Sequence, residues 1–338
     1  MFASARTDPR LRASLNGELT VGFDIGGTNL RAAVVTERGT IVDSLSVPAP
    51  ERAGDLEDAI VAAVAELSKR NKIAAVGVAI AGFLDQDCER VRFAPHLPWR
   101  NADVRQALSA RLELPVRLEH DANSAAWGEY RFGAAQGVRD WVLFAVGTGI
   151  GTALMHDGEI YRGAFGIAPE LGHITAVPGG RRCPCGKLGC LERYCSGTAL
   201  VESAIEIVHA RRFAHSPLAA KLRCDPSSVT GEDVMVAARQ GDSAGTEIVH
   251  DFATWMGRAL GIIADLFDPE LVLLGGGVSR DADLYLAEAV DAMGSEVVGT
   301  GYRPLPRVAV AKLGAQAGMI GVSDLARHVV GAKATPAL

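Results

Sequence analysis

The chain has 338 residues, 48% of them hydrophobic and 22% charged, with a formal charge of −6. Its length exceeds the roughly 250–300 residues at which a single core stops growing, so two lobes are expected, and the composition excludes a disordered or fibrous chain. An acidic balance without a long basic run excludes a nucleic-acid footprint. No apolar run nears the ~20 residues that span a bilayer, which leaves a cytoplasmic protein as the expectation.

Residues 1–18 mix Arg6, Arg10 and Arg12 with polar neighbours and lack the apolar stretch of a secretory signal; the basic start admits a transit peptide, but Asp8, Glu18 and the missing amphipathic pattern favour a flexible tail. From Leu19 the chain reads as a strand to Asp24, a glycine turn at Gly26 and Gly27, and strands over Leu30–Thr36 and Ile41–Val47, an antiparallel meander. Leu56, Ile60, Val64 and Leu67 recur at helical spacing, and Ile73–Ile80 reads as a buried strand. Val116–Glu119 is a short strand running into Asp121, with a helix over Ser124–Phe132. Asp140–Val146, the turn Gly147–Gly151, the stretch Thr152–Met155 and the hairpin turn Asp157-Gly158 repeat the opening pattern without a residue-level repeat. Gly163–Thr198 is a Gly/Pro/Cys-rich excursion with little periodicity, a kind of segment that is usually functional or disordered. The pattern closes with a helix over Thr246–Phe267, a buried strand Leu271–Leu274, a helix starting near Asp281 and a last helix over Ala315–Val329.

Asp24-Ile25-Gly26-Gly27-Thr28 ends a strand, where amides unobstructed by a Cβ can approach phosphate oxygens and Thr28 adds a hydroxyl. A carboxylate repels phosphate, so Asp24 is expected to orient a hydrated Mg²⁺; on this motif alone, a tight turn with an Asx bond competes. Gly147-Thr148-Gly149-Ile150-Gly151 and Gly275-Gly276-Gly277 are further glycine loops at strand ends. Together the three predict a nucleotide site, two loops on the phosphates and the third beneath the adenosine; neither a P-loop nor a G-x-G-x-x-G fingerprint occurs. His173 with Cys183, Cys185 and Cys190 offers one imidazole and three thiolates, a closed tetrahedral set for a structural Zn²⁺, against the alternative of free thiols in a packed loop. Cys88, Cys195 and Cys224 read as ordinary residues. Asp121, on the first turn of its helix, is either a helix cap or a working carboxylate, or both.

The repeated glycine-loop pattern resembles the actin, Hsp70 and sugar-kinase superfamily. Glu170-Leu171-Gly172-His173 followed by Cys183-Pro184-Cys185-Gly186-Lys187-Leu188-Gly189-Cys190-Leu191-Glu192 narrows the resemblance to the ROK family (repressors, open reading frames and kinases), over about Leu19–Arg327, and within it to bacterial ATP-type glucokinases. The resemblance implies an α/β fold of two ribonuclease-H-like lobes. Residues 19–121 with a returning C-terminal helix at about 313–330 would form one, and residues 122–312 with a zinc loop at 163–198 the other, with sugar and ATP in the cleft between them. It implies transfer of the γ-phosphoryl group of Mg-ATP to the 6-hydroxyl of glucose, with Asp121 as general base. The implied sugar contacts are Asn101, His120, Asp121, Glu170, His173, Glu192 and the backbone near Gly82. Here the chain departs from the family, carrying His96 and His120 where asparagines are usual, although an imidazole can still bond a hydroxyl. Relatives imply a homodimer or tetramer, and neither nucleic acid nor membrane as partner. The alternatives are a kinase of another hexose or N-acetylhexosamine, a polyphosphate-dependent enzyme, whose relatives generally lack the cysteine cluster, and a sugar-sensing repressor. A repressor adds an N-terminal helix-turn-helix, for which about eighteen residues before the first strand are too few. Because His173 serves both metal and sugar in this reading, metal loss is expected to weaken sugar binding. The phosphate loops, distant in sequence, are expected to keep their shape.

Overall fold

The computed structural model describes residues 3–6, 18–211 and 213–333. Strand β1 (Ala3–Arg6), the meander β2 (Leu19–Ile25), β3 (Asn29–Val35) and β4 (Ile41–Pro48), helix α1 (Ala53–Ser68) and strand β5 (Ile73–Ile80) precede three short strands, β6 (Phe83–Leu84), β7 (Val91–Phe93) and β8 (Arg100–Ala102). Helix α2 (Val104–Leu112), strand β9 (Val116–His120) and helix α3 (Asp121–Phe132) lead to β10 (Trp141–Val146), β11 (Ile150–His156) and β12 (Glu159–Tyr161). After the excursion come α4 (Gly197–Ala210), α5 (Pro217–Cys224), α6 (Gly231–Arg239), α7 (Ser243–Phe267), β13 (Leu271–Gly275), α8 (Leu286–Glu296), β14 (Arg307–Val310) and α9 (Ala317–Lys333).

One sheet runs β1-β4-β3-β2-β5-β9 and a second β12-β11-β10-β13-β14. In each, the first meander strand pairs parallel with a later strand, β2 with β5 and β10 with β13, which pairs parallel with a third, β9 or β14. The same 3-2-1-4-5 order thus occurs twice, the ribonuclease-H-like arrangement that the family resemblance implies. The Asp157-Gly158 hairpin takes positive φ at both residues, 53° and 80°, as a tight two-residue turn requires. The chain divides into two compact units, one of Met1–Val138, Ala153–Pro169 and Lys312–Leu338, the other of Arg139–Thr152 and Glu170–Ala311.

Alternation sorts the first sheet's faces. Val21, Phe23, Ile25, Val76, Val78, Ile80 and Leu118 join Leu56, Ile60 and Leu67 of α1 in one core. The opposite face is shaved to small residues where α9 rests: a Cβ on Gly22 would stand 1.9 Å from Met319 O. Beside it, the hydroxyls of Thr20 and Ser323 bond at 2.6 Å. Helix α3 lies against α9 in turn, with Trp127 Nε1 and Arg131 Nε donating to Asp324 Oδ2 at 2.9 and 3.0 Å. This packing puts α3 in the first unit, whereas the sequence reading divided the chain after residue 121. The two helices approach closely at Gly321, where a Cβ would meet Ser124 O at 1.8 Å. Gly321→Ala is therefore expected to destabilise the protein by about 2 kcal/mol or more, read as a lowered urea midpoint. An unchanged midpoint would mean that the helices part at no cost.

Three other expectations differ. Ala3–Arg6, assigned to a flexible tail, pairs antiparallel with Asp43–Ser46 of β4, whose outer N–H and C=O groups would otherwise form an open edge. The remainder of that tail, 1–2 and 7–17, lies outside the described residues. Helix α3 starts at Asp121 rather than Ser124. The helix anticipated near Asp281 begins earlier, as a 3-10 turn over Gly277–Leu284 with non-helical backbone at Asp281, before α8. Among the described residues no helix is long and apolar enough to cross a membrane.

Candidate functional site

In the first unit, β2, β5 and β9 run parallel in register, aligning Asp24 with Ala79 and Glu119, and Ile25 with Ile80 and His120. Their carboxyl ends finish in one row, the position at which open α/β sheets bind ligands. Asp121 follows as the first residue of α3. His120 holds the cap position, so capping is not what Asp121 does. Its Oδ1 accepts from the Ala122 N–H at 2.8 Å and lies 3.2 Å from His120 Nε2, and 45% of the side chain is exposed. Burial, and then the charge of Asp121, hold the Asp24 carboxyl above the ordinary carboxylate range, with Arg31 opposing them. The two carboxylates therefore share one field, which a divalent cation would relieve.

The turn after β2 leaves Gly26, Gly27 and Thr28 exposed. A Cβ on Gly27 would stand 3.2 Å from His96 Cβ. Both unusual histidines are thus placed here, His96 beside the glycine turn and His120 beside Asp121. Gly82, just past β5, is buried under Ala94, and Asn101 lies in β8 with φ 48°, its Oδ1 accepting from Arg90 Nη1 at 3.0 Å.

In the second unit, β10 and β13 pair as far as Ala145 and Gly275. The loops Gly147–Gly149 and Gly275–Gly277 consequently leave neighbouring strand ends side by side. Gly276 takes φ 80°, and a Cβ there would fall 2.2 Å from Val146 O, so only glycine fits. Helix α4, capped by Ser196 Oγ on the Ala199 N–H, starts against the first loop: the Gly197 N–H donates to Gly147 O at 2.7 Å and Thr198 Oγ1 to Thr148 O at 2.7 Å. The Gly197, Thr198 and Ala199 N–H groups are thereby engaged within the protein, so what this helix start offers an anion is the positive end of its dipole.

The excursion folds through two 3-10 turns, Leu171–His173 and Leu191–Arg193, and through bridges pairing Thr175 with Cys190 and Arg182 with Leu188. It brings His173, Cys183, Cys185 and Cys190 together, with all ligand atoms within 4.8 Å of one another. Cys183 Sγ is 3.7 Å from His173 Nδ1, and Cys185 Sγ is 3.6 Å from Cys190 Sγ. Zn–S bonds of ~2.3 Å in a tetrahedron put sulfurs ~3.8 Å apart, so the set can hold a metal ion of that size. Burial and the neighbouring thiols push Cys190 up to about 12, a crowding that a dication relieves.

Glu170 and Glu192 hang from the two 3-10 turns. The His173 N–H donates to Glu170 O at 3.1 Å. Glu192 Oε2 accepts from the Ile150 N–H at 2.8 Å, and a Cβ on Gly149 would come 2.3 Å from that oxygen. The Cys/His loop therefore supports the Gly147–Gly151 turn directly, which corrects, for this one of the two expected phosphate loops, the expectation that it keeps its shape independently. Sequence reasoning also left unassigned Glu119, read only as the end of the strand Val116–Glu119, and Arg162, to which no local pattern points.

The ROK family model matches residues 20–329. The glucokinase of Streptomyces coelicolor is 40% identical over 310 residues, 92% of this chain and 98% of its own length. A crystal structure of a ROK family glucokinase from Streptomyces griseus in complex with glucose and AMPPNP shares 40% identity at a TM-score of 0.80, covering 92% of this chain and 99% of that one. A ROK hexokinase structure from Thermus thermophilus shares 31% identity at a TM-score of 0.76, with coverage of 93% and 99%.

Proposed function

The chain belongs to the ROK family, and from that premise we propose that it is a glucokinase, transferring the γ-phosphoryl group of ATP to the 6-hydroxyl of glucose. The observation that carries this reading is the match of nearly the whole chain to glucokinases, one of them described with glucose and AMPPNP.

Asp121 is the general base. A sugar hydroxyl is a poor nucleophile, and a half-exposed carboxylate at the strand end can accept its proton as the phosphoryl group arrives. Asn101, His120, Glu170, His173, Glu192 and the backbone at Gly82 bind the sugar hydroxyls. Gly26, Gly27, Thr28, Gly147, Thr148 and Gly149 bind phosphate oxygens, and Gly275–Gly277 lie under the nucleoside. Mg²⁺ bound with ATP would supply charge neutralisation, and Asp24 would orient its hydration shell, a role that fits a carboxyl held up by burial and then by the charge of Asp121. His173, Cys183, Cys185 and Cys190 would hold a structural Zn²⁺, four donors being the full set such a site uses. The same reading places the protein in the cytoplasm as a homodimer or tetramer.

A coupled assay over a panel of hexoses and phosphoryl donors tests the assignment. Glucose with Mg-ATP is expected to give the highest kcat/KM, with mannose and glucosamine turned over weakly. Faster turnover of an N-acetylhexosamine, or polyphosphate outperforming ATP, would replace it.

A further inference from the structure

Glu119, the penultimate residue of β9, is fully buried and yet ionised: burial opposes the charge, but Arg162 and Arg117 outweigh it and hold the carboxyl below the usual range. Its Oε1 accepts from the His120 N–H at 3.1 Å, Asn123 Nδ2 at 3.1 Å and Arg162 Nε at 3.3 Å. Its Oε2 accepts from Arg117 Nη2 at 3.1 Å and from Arg162 Nη2. The buried Cys88 thiol, 3.7 Å from Oε1, is pushed up to about 12 by burial and by this charge. A buried ion pair seldom stabilises a fold more than apolar side chains of the same volume would, so stability alone does not explain the cluster.

Its bonds indicate a different role. Two of the groups on Oε1 flank Asp121, the backbone N–H of the residue before it and the side chain of the residue two after it. Ser124 Oγ, donating to His120 O at 2.9 Å, closes the same strand-to-helix turn. We propose that Glu119, clamped by Arg162 and Arg117, is a positioning residue that aims the Asp121 carboxylate at the acceptor hydroxyl; this rests on the reading of Asp121 as the base. Arg162 acts as a fork, Nε on one carboxylate oxygen and Nη2 on the other, which fixes the plane of the carboxylate and with it the direction in which Oε1 faces the turn. A lysine supplies the charge without the fork.

Glu119→Gln keeps the volume and one acceptor oxygen but presents an amide to the guanidinium groups. Its kcat is expected to fall about 10–10²-fold, as a sub-ångström to ångström misplacement of a reacting group does, while half-saturating glucose and ATP stay within about threefold. Arg162→Lys should lower kcat in the same way but less, and carries the same test if Glu119→Gln fails to fold. Thermal melts and calorimetric glucose titration identify the folded fraction. Added to Asp121→Ala, Glu119→Gln should cause no further loss of turnover, because a group that acts only through Asp121 then has nothing to aim. Multiplicative losses in the double variant, or a folded Glu119→Gln enzyme with kcat within about twofold of the parent, would overturn the proposal while leaving the base assignment intact. Normal turnover by Asp121→Ala alone would remove the base assignment, and this proposal with it.

Discussion

Asp121→Ala is expected to abolish phosphoryl transfer while glucose binding remains measurable. A base acts on the transition state, so its loss appears in kcat and kcat/KM together, by at least ~10²-fold. The fold should tolerate the change. Asp121 is the first residue of α3 and not its cap, and its carboxylate bonds only the neighbouring Ala122 N–H and His120 among the contacts described above. Losing an acidic side chain from a first helical turn costs about 0.3–1 kcal/mol. A second readout follows from Asp24. Because its carboxyl is held above the ordinary 3.8, the folded protein retains this proton longer than the unfolded chain, and this group's contribution to stability declines as pH rises from about that value. Part of that elevation comes from Asp121, so urea melts across acid pH should show a shallower decline in the variant. Near-normal turnover in the folded variant would reject Asp121 as the base.

Removing the metal should damage both substrate sites. Cys185→Ala, or chelation, would take away the proposed zinc ion, whose binding energy would order the excursion. Glu170 and Glu192, both proposed sugar contacts, stand on its two 3-10 turns. Displacing such contacts by ~1 Å can cost ~10²-fold in efficiency. Sequence spacing implied that ATP would be spared. The bond from the Ile150 N–H to Glu192, and those from Gly197 and Thr198 to the Gly147–Thr148 backbone, remove that insulation. Half-saturating glucose is therefore expected to rise most, about 10²-fold, and half-saturating ATP to rise several-fold as well. Metal analysis of the parent should give about one zinc per chain, and limited proteolysis should cut the metal-free excursion faster. A metal-free protein with unchanged glucose affinity would refute the coupling, and an unchanged ATP curve would show that Glu192 does not shape the phosphate turn.

The sequence by itself determined the long, periodic elements and the chemistry that sits on short motifs. Leu56, Ile60, Val64 and Leu67 mark α1, and the apolar stripe of Thr246–Phe267 marks most of α7, because a regular element repeats its own buried face. The glycine loops were legible because each follows a strand directly, and the histidine-cysteine set because its donor types are distinctive at close spacing. Short elements were not: β6–β8, α2, α5, α6 and β14 span too few residues to display a period above their surroundings. Only the tertiary structure decided the in-register row of Asp24, Ala79 and Glu119 and the seating of α9 on Gly22. It also decided the partnerships Glu119–Arg162 and Glu192–Ile150, whose members lie 43 and 42 residues apart. Periodicity reports which face of an element avoids water. Which distant carboxylate meets which amide is set by strand register and chain closure, which no local pattern records.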